Sequence, residues 1–252
     1  MAEGTRSSSR NPRSALRTHN GWVRTSGLDS GEPFLDHLDA ILEDLEPRQS
    51  QLERLTDQCI LDLYCGYGLG KQPGQTTIDH ARLQRLAHLP ISLTFDVNGP
   101  NWHVPLIDNM HPGLQLAPSR RWNSGALAIH ITSVSAASIS SLLGPAATWP
   151  ASGDVDGTSS GGFSALMIEQ PAWVRESGLP RSAVLEDHLD ALLNLGEAKA
   201  QAFHRLGEQT SIELRLCYAS DWGQGGFGCE QATIKRLAAL PFDLTIELTL
   251  PP

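Results

Sequence analysis

The chain repeats itself once, at a constant offset of 151 residues. Trp22-Val23-Arg24-Thr25-Ser26-Gly27-Leu28 returns as Trp173-Val174-Arg175-Glu176-Ser177-Gly178-Leu179, and Asp36-His37-Leu38-Asp39-Ala40 returns as Asp187-His188-Leu189-Asp190-Ala191. The same offset relates Arg54-Leu55 to Arg205-Leu206. It also relates Arg85-Leu86-Ala87 and Leu89-Pro90 to Arg236-Leu237-Ala238 and Leu240-Pro241. A register held across motifs this far apart means one domain type used twice, and 252 residues suit two domains of about 100 to 150 residues. The divisions that follow are a basic, disordered tail at 1–19, a first repeat at 20–100, a linker at 101–124 and a full second repeat at 125–252.

Composition narrows the class. With 40% hydrophobic and 19% charged residues, each copy holds enough apolar material for a core. A net charge of −9 opposes the basic footprint that phosphate binding needs, so no nucleic acid partner is expected. Only the tail is locally basic, through Arg6, Arg10, Arg13 and Arg17, and no apolar signal-peptide core follows it. The longest apolar runs, around Ala126 to Ile131 and Leu142 to Ala147, are far below the roughly 20 residues of a membrane span, so no membrane is expected either. Cys59, Cys65, Cys217 and Cys229 form no Cys-x-x-Cys pair and lie near no His at ligand spacing. Sparse cysteine without an export signal points to reduced thiols, no metal site and a cytoplasmic location.

The second copy reads as strand, helix, strand, long helix, strand, short helix, strand. Ala126 to Thr132 is a strand, and Ser135 to Gly144 a short helix with Ser at its start and Gly past its end. Ala151 to Gly162 is a loop by composition, and Ala165 to Ser177 a second strand around Trp173. Leucines recur at helical spacing from Val184 to Gln209, with Gly196 as a candidate break, and Ser211 to Tyr218 alternates as a half-buried strand. Asp221 to Gly228 reads as a Gly-rich connection before a helix at Gln231 to Leu240. Phe242 to Leu250 then alternates strictly. Such strands favour an α+β fold, a tandem repeat of a ferredoxin-like or related sandwich with a mostly antiparallel sheet and helices on one face. The first copy lacks the counterparts of the opening strand and helix. Three explanations stand side by side: a truncated start, replacement by the apolar segment Asn101 to Trp122, or a sheet shared between the copies.

Four features together resemble the bacterial family catalogued as domain of unknown function 4279: the Trp-Val-x-x-Ser-Gly strand, the His-Leu-Asp-Ala-x-Leu helix, the Gly-rich loop, and the Leu-Ala-x-Leu-Pro turn into an alternating strand. The resemblance covers Leu127 to Leu250 as a full copy and Asn20 to Val97 as a copy lacking its front. It implies a fold and no catalytic residues.

The candidate binding residues are Trp22, Arg24, His37, Trp173, Arg175 and His188. On a helical wheel His37 borders the apolar stripe of Leu38, Ile41, Leu42 and Leu45, with Asp39 on the opposite flank, so the two side chains diverge and make no metal pair. The repeated His is therefore a rim residue or a pH-sensitive contact. Trp22 and Trp173 share a strand face with Arg24 and Arg175, which is either core packing or an aromatic and cationic patch for a partner. Gly66 to Lys71 and Gly223 to Gly228 match no phosphate-binding fingerprint and read as structural turns. Asp36, Asp39, Glu43 and Asp44, with Asp187, Asp190 and Asn194 in the second copy, read as a solvated helix face. No cofactor is expected, and no catalytic set is complete. The preferred function is a non-catalytic protein-binding or regulatory module, with an acidic immunity-protein-like chain as its specific form. The alternative is a small-molecule binder or enzyme with a site between the copies. A third reading makes the first copy a stabiliser of the second.

Overall fold

In the computed structural model, which describes residues 23–68, 74–98, 121–130, 134–145, 147–149, 172–220 and 224–249, the second copy carries its Trp-Val-x-x-Ser-Gly motif on a strand, whereas Val23 to Gly27 of the first copy form no strand, contrary to the sequence expectation. The first copy gives α1 (Phe34–Leu45), a 3₁₀ turn (Glu46–Arg48), α2 (Gln49–Leu55), β1 (Asp62–Gly68), β2 (Gly74–Ile78), α3 (His80–His88) and β3 (Ser92–Asn98). The second gives β4 (Arg121–His130), α4 (Ala136–Leu143), β5 (Ala147–Trp149), β6 (Ala172–Glu176), α5 (Leu185–Ala198), α6 (Ala200–Gly207), β7 (Ile212–Ser220), β8 (Gln224–Cys229), α7 (Gln231–Ala238) and β9 (Asp243–Thr249).

Local chemistry accounts for several of these boundaries. Ser135 Oγ accepts the Ser138 N–H at 3.1 Å to cap α4, and Gly144 ends that helix at φ +93°. Asp79 caps α3 by accepting the Arg82 N–H at 2.8 Å. The long second-copy helix breaks at Lys199, not at Gly196. Gly196 stays inside α5 because a Cβ there would lie 2.7 Å from Leu240 Cδ1 and 3.0 Å from Phe242 Cε2. The glycine lets the helix lie close on the residues that lead into β9.

Two compact units make up the chain, Met1–Asp44 and Leu45–Pro252. The second contains both sheets: three strands in the order β1-β3-β8, and six in the order β2-β9-β7-β4-β6-β5. The pairs β1–β3 and β7–β9 are parallel and the remaining pairs antiparallel, as expected for a mostly antiparallel α+β fold. The copies exchange strands. β2, from the first, pairs with β9 of the second through Ile78↔Leu244 and Thr76↔Ile246. β8, from the second, pairs with β3 of the first through Cys229↔Leu93 and Phe227↔Phe95. These are the same pairings with the copies interchanged at the offset of 151, so the exchange is reciprocal and in register. The sheets are therefore shared between the copies through β2 and β8. Between the two exchanges α3 packs on α7, with α3 also reaching β9 and α7 reaching β3 and β8. The buried leucines Leu86 and Leu237 occupy equivalent positions on the two helices.

The Gly-rich run before α7, read from sequence as a connection, is mostly strand β8. Its glycines serve close approach: a Cβ on Gly226 would collide with the Phe95 carbonyl oxygen of the neighbouring strand. Next to it Phe227 stacks on Phe95 with ring centroids 5.0 Å apart. Gly226→Ala should therefore push β8 off β3 and cost roughly 1–3 kcal/mol as an overpacking strain, read as a shifted urea midpoint. A midpoint equal to that of the wild type would mean the two strands have room to separate.

Equivalent sheet faces have different fates. Leu214, Leu216, Leu244 and Ile246 point to one side of β7 and β9 and are fully buried, while Arg215, Thr245 and Glu247 point to the other and are also buried. In the three-stranded sheet the positions matching that second face are Asp62, Tyr64, Thr94 and Asp96, and Tyr64 is 61% exposed.

Candidate functional site

The turn that carries the repeated Ser-Gly-Leu motif and leads into the Asp-His-Leu-Asp helix is built the same way twice. Ser26 Oγ lies 2.6 Å from His37 Nδ1, and Ser177 Oγ lies 2.6 Å from His188 Nδ1. Each serine oxygen also accepts the N–H of the leucine two residues on, Leu28 or Leu179, at 3.4 Å. The intervening Gly27 and Gly178 both sit at φ +78°, a conformation glycine adopts at no steric cost. The arrangement is a clamp. One hydroxyl closes the turn and ties it to the helix that follows. The His in each copy had no assigned partner in the sequence, although the serine eleven residues upstream repeats with it.

Environment separates the two histidines. His37 is half-buried, whereas His188 is 1% exposed, with its Cβ close under the backbone of Gly125 in β4. Burial pushes the His188 pKa below its ordinary value of 6.5, although the Pro180 carbonyl and the Asp187 charge favour the protonated ring. Ser177→Ala removes the hydroxyl partner of a buried ring nitrogen, leaving it the Pro180 carbonyl, and should cost roughly 0.5–1.5 kcal/mol. Ser26→Ala, beside the wetter ring, should cost less. Equal losses in parallel denaturant titrations would contradict this difference in burial.

The cationic residues are held in place rather than left free. Arg24, 55% exposed, pairs with Asp44 at 3.0 Å inside the first unit. Arg175 is exposed and donates through Nη1 to the Pro145 carbonyl at 3.1 Å. Asp190 and Asn194, read as part of a solvated face, are gripped by Arg236, which reaches Asp190, Asn194 at 2.7 Å and Glu197 at 2.6 Å. The first copy repeats the last of these pairs, Arg85 on Glu46 at 2.6 Å. A cleft of about 550 Å³ opens beside β6, lined by Arg175, Glu176, Ser177, Leu192 and Leu195 among others, and its described lining residues belong to the second copy.

Trp173 is 1% exposed and packs in the core; Trp22, its counterpart, lies outside the described residues. Cys65, Cys217 and Cys229 have their thiol pKa values pushed up to about 12, mainly by burial, and stay protonated near neutral pH, which suits small apolar residues and not nucleophiles. Among the described residues no group of three His, Cys, Asp or Glu side chains could hold a metal ion, and no helix is long and apolar enough to cross a membrane.

A feature that motif reading missed is the edge of β1. Its counterpart β7 is flanked by β9 on one side and β4 on the other, whereas among the described residues β1 has only β3 beside it. The Leu61 carbonyl accepts from Ser92 of β3 at 3.0 Å, so the N–H and C=O groups of Asp62, Tyr64 and Gly66, which alternate with it, face the other way. In β7 the matching residues Glu213, Arg215 and Cys217 pair with Ala128, Ala126 and Ser124 of β4. Leu63 and Cys65 are half-buried where their counterparts Leu214 and Leu216 are fully buried.

Neither a curated protein nor a solved structure matches the chain. A family does, over residues 2–100 and again over 123–250, two segments that follow the internal repeat. With most of its length matched twice in tandem, the chain belongs to the family described as domain of unknown function (DUF4279).

Proposed function

We propose that this chain is a non-catalytic protein-binding module and that the edge of β1 is its recognition element. One observation carries the reading: the same sheet position is covered by β4 in the second copy and has no strand beside it among the described residues in the first. A strand edge with outward-facing donors and acceptors is a template for pairing with another chain, and natural proteins either protect such edges or use them. Neither Pro nor Lys blunts Asp62–Gly68, and Tyr64 and Ile60 are exposed at 61% and 93%. Arg24 with the exposed Leu28 (42%) in the first unit, and Arg175 with the exposed Leu179 (39%) in the second, are proposed as separate partner contacts. Trp173 and His188 serve the fold, because burial keeps both from a partner's reach. The four cysteines are free, which supports a reducing compartment, so the bacterial cytoplasm is the proposed location.

The test uses the full-length protein as bait in its native host, beside a Gly66→Pro variant. Proline at 66 removes an N–H that faces away from β3, so the ladder to β3 survives while the outer edge is blocked. A stoichiometric protein retained by the wild type and lost by the variant is the expected result. A partner held equally by both moves recognition elsewhere. If no partner is held and a small molecule co-purifies in the cleft beside Arg175, the binding-module reading fails.

A further inference from the structure

We infer that the segment received by β1 is an extended strand, antiparallel to β1, with apolar residues at alternate positions and basic residues between them. This rests on the binding reading above and adds the partner's chemistry. Direction and spacing come from the second copy, where β4 runs antiparallel to β7 and sets Ile129, Leu127 and Gly125 opposite Ile212, Leu214 and Leu216. The matching positions along β1 are Leu61, Leu63 and Cys65, all half-buried, so an incoming strand completes their burial with its own apolar side chains.

Charge comes from the opposite face. In the second copy two acids flank a cation: Arg215 donates to Glu213 at 2.7 Å and to Glu247 at 2.8 Å. At the offset of 151 the first copy keeps both acids as Asp62 and Asp96 but has Tyr64 where Arg215 stands. Asp62 accepts from the Thr94 hydroxyl at 3.0 Å and Asp96 from the Tyr64 hydroxyl, both neutral donors. The cation that the second copy supplies from β7 has no equivalent in β1, and a basic residue on the added strand fills that role. Set opposite Asp62 it meets the carboxylate; opposite Tyr64 it lies over an exposed ring; opposite Gly66, which has no side chain, it reaches toward Asp96, the partner of Gly66 in the β1–β3 register. A second copy of this chain is a poorer occupant, since each chain carries a net charge of −9 and would bring the same acidic face.

The experiment titrates full-length protein with a short peptide alternating valine and lysine. A peptide with glutamate in place of lysine and one with the same composition in blocks serve as comparisons, read by fluorescence anisotropy and amide hydrogen exchange. The alternating lysine peptide should bind at least about tenfold more tightly than either comparison and slow exchange at Asp62, Tyr64 and Gly66. Gly66→Pro should abolish the protection. Asp62→Lys, which leaves the backbone edge intact, should weaken the lysine peptide and strengthen the glutamate one. Equal affinity for the lysine and glutamate peptides would overturn the inference, as would protection of these amides in the absence of peptide that grows with protein concentration, the mark of β1-to-β1 dimers. If the native host yields a partner that Gly66→Pro loses while the lysine peptide does not bind, the basic strand is wrong and the binding-module reading stands. If both experiments come up empty, both fall.

Discussion

Arg215→Ala should destabilise the protein by about 3–5 kcal/mol near neutral pH, the cost of removing one partner from a buried ion pair. Arg215 is 4% exposed and Glu247 2%, and the variant leaves the Glu247 carboxylate buried without the guanidinium that held it at 2.8 Å. The pH dependence identifies the cause. Burial raises the Glu247 pKa above its ordinary value of 4.5, Arg215 pulls it back down, and Glu213 pushes it up. A carboxyl whose folded-state pKa is raised binds its proton more tightly folded than unfolded, so its contribution falls as pH rises from 4.5 through the folded value. Removing Arg215 moves that folded value higher. The deficit of the variant should therefore shrink on going from pH 7 to pH 5, as Glu247 becomes neutral in the folded state. His188 acts in the other direction: its pKa is lowered, so its contribution is complete above 6.5 and lost as pH falls below. Taking the difference between variant and wild type at each pH cancels the His188 contribution. Denaturant titrations at the two pH values decide the matter, and a deficit that stays constant or widens at pH 5 would place the damage somewhere other than an uncompensated carboxylate.

The second large effect concerns the copies themselves. A fragment Arg121–Pro252 should not behave as a stable monomer, because β9 loses its outer neighbour β2, α7 loses α3, and β8 loses β3. Gly226 and Phe227 are shaped to meet the backbone and ring of Phe95, which the fragment lacks. The same register that exchanges strands between copies in one chain can exchange them between two fragments, since β8 stands at the offset of 151 from β2 and β3 from β9. The expected outcome by light scattering is a dimer that dissociates and unfolds together on dilution. Adding a fragment Leu45–Arg120 should replace one member of the pair and give a one-to-one complex. A folded monomer at all concentrations would mean β8 turns back onto its own β9, and that the exchange contributes little to stability.

How much was legible depended on the range of the interaction that decides each feature. Ser135 and Gly144 gave both ends of α4, and the alternation of Leu244, Ile246 and Leu248 gave β9, because caps and period-2 burial are written within a few residues. The α5–α6 break went to Lys199 and not to Gly196, since the glycine answers a neighbour, Leu240, that lies far along the chain. Strand β8 was hidden in a Gly-rich run for the same reason: its glycines fit the backbone of a strand in the other copy. The His in each Asp-His-Leu-Asp motif was visible as a repeated residue. Its tie to Ser26 or Ser177 needed the turn at Gly27 or Gly178 to bring the two together.

By itself the sequence determined that one domain type occurs twice, in a register of 151 residues, with α+β content and acidic charge, because repetition, periodicity and net charge are properties of order along the chain. Tertiary structure alone decided which copy each strand joins and which strand edge, among the described residues, has no strand beside it. Those outcomes depend on backbone hydrogen bonds to distant partners, and a backbone N–H carries no residue identity from which its partner could be read.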